Sequence, residues 1–238
     1  MEYLGHLPIQ LLALSPFLFQ IKVADIVIKV NAVFSSALTG FSDYLCPSNY
    51  PHDVIIHVRE DNVKGISKSV LFELVGPISK YDAFFLHASA VVLDNNAYLF
   101  TAPMGVGKST HTSLWCDFFK GNAFIINDDK PVIRLINEDF FVFGDPWATD
   151  KNIQVNTSAR IAGLCFIERS SNNWIEKVDP GIMLPSLLQR IFLPNEEEYR
   201  INILHLLDVF VKKIPFYKMG CNISDEAVKK SYEAMKFI

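Results

Sequence analysis

The sequence predicts an α/β protein. A largely β N-terminal portion packs against a core built from a strand, a glycine loop, a helix and a second strand, and helices close the C-terminal side. Three observations point there. Short runs with a two-residue apolar period fill the first third, an apolar strand leads straight into a glycine-rich turn near residue 102, and apolar residues at helical spacing dominate the last third. With 238 residues, half of them hydrophobic, the chain has material for one core or two small ones and needs no external staple. The expected division is a strand-rich portion over 1–80 packed on a core over 81–238.

In Phe17–Val23 the residues Phe17, Phe19, Ile21 and Val23 share one face and Gln20 and Lys22 the other, the period of a half-buried strand. Ala24-Asp25 turns it into a second strand at 26–30. Further β-type runs follow at 54–58, 70–75 and 84–92, separated by Pro, Asn, Asp and Gly. The strand 97–100 then feeds the glycine loop, 108–119 carries a helical pattern, and the strand 123–126 ends at Asn127-Asp128-Asp129. Residues 132–135 and 140–143 flank Asn137-Glu138-Asp139 as a hairpin, and 163–167 reads as one more buried strand. Beyond it, 180–191 and 196–213 are helices, 216–219 is a short strand, and Ser224 caps a final helix.

Charged residues make up 20% of the chain and the formal net charge is -4, so no broad cationic field exists to hold nucleic acid or an anionic membrane surface. Neither is expected as a partner. Cys46, Cys116, Cys165 and Cys221 lie far apart, without zinc-site spacing, and read as reduced thiols of a cytoplasmic protein. The apolar stretch 4–19 is broken by His6, Pro8 and Pro16 and lacks a basic leader, so neither a signal peptide nor a membrane span is expected.

The chemistry centres on Ala102-Pro103-Met104-Gly105-Val106-Gly107-Lys108-Ser109, with Thr110 next. Phosphate oxygens bind well to backbone N–H groups at a helix N-terminus, where glycines leave the main chain accessible. Pro103 to Thr110 would cradle the phosphates of ATP, Lys108 would reach the β and γ phosphates, and Ser109 would ligate Mg²⁺. The strict pattern has glycine at its first position and this chain has Ala102. A chance glycine-rich helix start is the bland alternative.

Asp128 and Asp129 follow Lys108 by 20 and 21 residues. If their strand lies beside the one feeding the loop, both carboxylates emerge at the phosphate edge. One would then hold magnesium through water and the other accept the proton of an attacking hydroxyl. The alternative is a simple strand-end turn, for which Asn-Asp-Asp is suited. His87, in Leu86-His87-Ala88, lies 21 residues before Lys108 on an apolar run, where a hydrogen-bonded core histidine is the common outcome.

Leu86-His87-Ala88, the loop after it and the early Asp-Asp pair together resemble the C-terminal catalytic domain of bacterial HPr serine kinase/phosphorylase. That domain shares its nucleotide site with ATP-dependent phosphoenolpyruvate carboxykinase. The resemblance covers about 84–167. It implies a P-loop kinase core in which His87 assists proton handling, Lys108 neutralises the transferred phosphoryl group, Ser109 binds Mg²⁺, Asp128 supports the metal and Asp129 is the base. The family also carries Glu-x-Arg-Gly on a later strand, where this chain has Arg160-Ile161-Ala162-Gly163. HPr specificity and the phosphorylase half-reaction are therefore not carried over. The chain looks more like shorter homologues associated with peptide-modifying gene clusters.

The resulting expectation is an ATP- and Mg²⁺-dependent kinase acting on a serine or threonine hydroxyl of a small protein or peptide. A small-molecule kinase or carboxykinase-type enzyme, and a non-catalytic ATP-binding module, are the alternatives; homo-oligomer formation is left open. Among weaker features, the loop 144–151 either covers a ligand or simply buries Trp147. Arg134 and Arg190 could reach phosphates but suit structural roles, and Lys229-Lys230 reads as a solvated face.

Overall fold

The computed structural model describes residues 17–32, 40–58, 63–147 and 155–236. Most of the apolar stretch 4–19, and residues 148–151 of the aromatic loop, lie outside them. No helix among the described residues is long and apolar enough to cross a membrane.

The protein is a mixed α/β structure with two sheets. β1 (Phe17–Val23) and β2 (Ile26–Ala32) form an antiparallel hairpin. Its turn residues Ala24 and Asp25 take φ of 52° and 59°, the left-handed pair that matches strand twist. β3 (Val54–Val58) adds in parallel to β2 and completes the three-stranded sheet. The run 70–75, expected as a strand, is the end of α1 (Val63–Leu74) and the residue after it. Val70, Leu71, Leu74 and Val75 are buried while Phe72 and Glu73 are exposed, which is a helical spacing of paired apolar positions.

The large sheet has its own logic. The run 84–92 is two strands, β4 (Ala83–Phe85) and β5 (Ser89–Leu93), separated by Leu86-His87-Ala88. It runs antiparallel to a second stretch that breaks at the same level, β7 (Ala123–Asn127) and β8 (Val132–Ile136). Leu86 N donates to Pro131 O (3.2 Å) and Ala88 N to Asp129 O (3.1 Å), so the ribbon continues across the break. β8 turns through Asn137-Glu138 into β9 (Asp139–Phe143), as the hairpin pattern predicts.

β6 (Asn96–Thr101) and α2 (Lys108–Phe118) precede β7. β6 and β7 are not neighbours, contrary to the expectation for strands joined by one helix. β5 lies between them and is antiparallel to both, which leaves β6 and β7 parallel with their C-terminal ends at one edge. The expected shared edge is kept by a different route.

The strand expected at 163–167 is the middle of β10 (Ser158–Arg169), which branches the sheet. Its start pairs with β9, residues Arg160–Phe166 with β6, and its second half with β12 (Phe216–Cys221); β11 (Trp174–Val178), not expected from the sequence, flanks β12. α3 (Pro180–Leu188) stops short of the expected 191 and is followed by α4 (Glu197–Lys213) and α5 (Asp225–Met235), the last capped by Ser224. α4 buries Ile203, Leu206, Leu207 and Phe210 against one face of the sheet, and α5 closes the other through Ala227, Val228 and Met235.

Candidate functional site

The loop after β6 enters α2 through two glycines that need their freedom: Gly105 has φ +80° and Gly107 φ +123°, and a Cβ on either would meet nothing within 4 Å. Backbone conformation, rather than crowding, excludes side chains there. Ala102 is not among the positive-φ residues, which is why the first position tolerates alanine. Pro103, Met104 and Gly105 are exposed, and Gly107 caps α2 without a side-chain bond. The first-turn N–H groups of α2 therefore form a positive helix end open to an anion.

Lys108 is buried, 8% exposed, with Nζ donating to Ala102 O at 3.3 Å. Burial pushes its pKa down, and nearby Arg190 and Lys130 add to that while Asp129 opposes it. Ser109 Oγ donates to the main-chain oxygen of Asp128 at 3.5 Å, which sets the helix head beside the turn after β7. Thr112 Oγ1 and Ser89 Oγ, 2.8 Å apart, fasten α2 to β5.

That turn is made by Asn127. Its Oδ1 accepts from Asp129 N (2.9 Å) and Lys130 N (3.0 Å), so the Asx-turn chemistry falls on the asparagine and the two carboxylates do not make it. Asp129 faces His87 across the ribbon break, His87 Nε2 to Asp129 Oδ1 being 3.6 Å, and its other oxygen pairs with Lys130. His87 is held from three sides: its N–H donates to Arg190 O (2.7 Å), its carbonyl accepts from Thr101 Oγ1 (2.8 Å), and Leu86 bridges to Ile191. Burial lowers the His87 pKa, reinforced by Lys108, Lys130 and Arg190 against Asp129, so the ring is neutral near pH 7.

His87, Lys108, Ser109, Asp129 and the main chain of Asp128 thus meet beside the loop. Three cations, Lys108, Lys130 and Arg190, converge on a site with Asp129, an arrangement suited to an anionic ligand. Ser109 and the aspartates supply hard oxygen donors. No group of three or more His, Cys, Asp or Glu among the described residues forms a metal cage by itself.

Arg169 is a residue that the sequence analysis missed, and Arg190, expected there to suit a structural role, acts on the site. Arg169, at the end of β10, donates from Nη2 to Gly105 O (2.5 Å) and from Nε to Val106 O (3.2 Å), bracing the loop. Its signal would have been the true length of β10, which the sequence reading cut at 167. Arg190 reaches the site because residues 190–192 pair with 85–87 beyond the end of α3. Arg134 is structural, bonded to the carbonyls of Tyr81 and Ala24. Arg160, in the segment that departs from the Glu-x-Arg-Gly pattern, pairs with Asp139 at the opposite end of β10. Trp147 is packed against Phe85 and Phe41, with Nε1 bonded to Ser67 O (2.8 Å).

No protein-family model matches the chain, and no curated protein matches it. Among solved structures, it is similar to the HPr(Ser) kinase/phosphatase from Coxiella burnetii at 15% identity, over 54% of this chain and 97% of that chain, with a TM-score of 0.30. This is a weak likeness of fold, without residue-level correspondence.

Proposed function

We infer that the protein is an ATP- and Mg²⁺-dependent phosphotransferase that phosphorylates a serine or threonine hydroxyl of a small protein or peptide. The observation that carries this reading is the meeting of an open helix N-terminus and a buried lysine with a carboxylate–histidine pair. A pure anion site has no use for Asp129 and His87; a transfer site needs both a phosphate cradle and a base.

In this reading the main chain from Pro103 to Thr110 holds the phosphate tail and Lys108 sits on its β and γ groups. Arg190 adds positive charge at the reacting end. The donor set at Ser109 and Asp128 fits magnesium, which keeps waters and phosphate oxygens in its shell and does not require a protein cage. There it would neutralise phosphate charge. The acceptor oxygen attacks the γ phosphorus, the bond to the β,γ-bridging oxygen breaks, and ADP leaves. The hydroxyl proton passes to Asp129, with the neutral imidazole of His87 beside it to take the proton onward.

The test is labelled ATP with candidate peptides, small hydroxyl compounds or buffer alone. Asp129→Asn should lower transfer by about 10²–10⁴-fold, the span of a general base, with ATP affinity little changed. Lys108→Ala should weaken both. Survival of transfer in Asp129→Asn would overturn the assigned base; label on small hydroxyl compounds alone would overturn the peptide acceptor.

A further inference from the structure

Two clefts flank the glycine loop. One of about 500 Å³ opens on the α3 side, with Pro103, Glu168, Gln189, Arg190 and Lys218 among its walls. The other, about 600 Å³, lies between the first turns of α2 and the ends of β10 and β12, walled by Leu114, Ile167, Ser170, Asn222 and Ile223. Val106 and Arg169 line both, so Arg169, bonded to the carbonyls of Gly105 and Val106, is the partition.

The site itself decides which cleft does what. Arg190 lines the α3-side cleft and acts electrostatically on His87 and Lys108, so that cleft adjoins the reacting end. In the phosphotransferase reading, a donor with its phosphates on the loop and its terminal phosphate toward Arg190 has the α2-side cleft, lined by Gly107 and Thr110, open to its remaining bulk. Three features of that cleft fit a planar, hydrogen-bonding group. Leu114, Val106 and Ile167 supply apolar walls, and Ile223 stands 77% exposed at the cleft, where burying it would release water. Its rim is tied in place: Asn222 N donates to Asn173 Oδ1 (2.9 Å), Asn222 Nδ2 to Ser171 O (3.2 Å), and Ser224 Oγ to Asn222 Oδ1 (2.6 Å).

The third feature is independent of the other two. His111, only 3% exposed, lines the same cleft; its Nε2 is engaged by Ser231 Oγ (3.2 Å) and Trp115 Nε1 (3.3 Å), and its Nδ1 is buried without a partner. Buried polar atoms are paired in the great majority of cases, so an unpaired one on a cleft-lining residue calls for an explanation, and a ligand atom is one that fits this site.

We propose that the α2-side cleft receives the nucleoside of the phosphoryl donor. The base lies between the Leu114 and Ile223 sides with its polar edge toward Ser170, Ser171 and Asn222, and His111 Nδ1 bonds to a polar atom of the nucleoside. The α3-side cleft is left to the acceptor. This rests on the phosphotransferase reading, and the test separates the two by using inorganic tripolyphosphate, which has the phosphate tail and no nucleoside.

Calorimetry with Mg²⁺ compares ATP and tripolyphosphate on the wild-type chain, on Ile223→Ala and on Leu114→Trp, with thermal unfolding as the check on folding. Ile223→Ala changes an exposed side chain and should weaken ATP by about 5-fold, the effect of losing one apolar cover. Leu114→Trp, which fills the cleft, should weaken it by at least about 50-fold. Tripolyphosphate should bind all three alike. Unchanged ATP affinity in both variants, or equal loss of both ligands, overturns the nucleoside assignment alone. A wild-type chain that binds neither ligand overturns the phosphotransferase reading and the nucleoside site with it.

Discussion

Asp145 is the most unusual single residue near the site. It is fully buried, accepts hydrogen bonds from Val132 N (3.2 Å) and Trp147 N (2.9 Å), and lies against the Asn127 side chain that shapes the Asp128-Asp129 turn. Burial pushes its pKa up to about 8, against about 4 for an ordinary aspartate. The folded chain then binds a proton that the unfolded chain has released. The stabilising contribution of that proton is full below about pH 4 and is lost as the pH rises to about 8. In urea titrations, the stability difference between wild type and Asp145→Asn should therefore shrink steadily from pH 5 to pH 8; a pH-independent difference would mean that the carboxyl is ionised when folded. Single residues were unevenly legible in the sequence. Lys108 and Ser109 stood out because a helix head demands residue types at fixed spacing. Asp145 did not, because its character comes from burial that no spacing encodes.

At the scale of elements, the two-residue period located β1, although Gln20 on its expected polar face is buried, the Ala24-Asp25 turn led to β2, which runs on to Ala32, and the hairpin of β8 and β9 formed as expected. Where reading failed, a competing pattern was present. The run 70–75 has β-branched ends but buries positions by helical spacing, and packing decided. Residues 84–92 look like one strand because the apolar run continues through Leu86-His87-Ala88; only the pairing of β4 with β8, of β5 with β7 and of 85–87 with 190–192 reveals the break. Nothing local could have reported β5 between β6 and β7, since strand order is set by long-range pairing. The loop carries the prediction at this scale. Gly107→Ala would force a side chain into φ +123°, costing about 1–3 kcal/mol in denaturant unfolding and disturbing the head of α2. ATP binding should fall further than that loss of stability alone would cause, because the first-turn N–H groups are displaced.

Over the whole molecule, one apolar cluster crosses from the small sheet to the large one. It joins Phe19, Ile21, Ile28 and Phe41 to Phe85, Val132, Phe143 and Trp147. Trp147 is the keystone, with ring contacts to Phe41 at 6.3 Å and Phe85 at 5.6 Å and a hydrogen bond into α1. Trp147→Ala should cost about 3–5 kcal/mol, the usual range for emptying a large aromatic site. If the two sheets unfold together, the transition stays single and moves to lower urea; a split into two transitions would show that Trp147 is what couples them.

The threefold grip on His87 reaches beyond positioning. Because its amide is bonded to Arg190 and its carbonyl to Thr101, the backbone that carries the imidazole is also the seam between the connection leaving α3 and the strand feeding the loop. Loosening that seam would withdraw histidine and arginine together, so hydrogen exchange at the His87 amide offers a direct gauge of whether the centre is assembled.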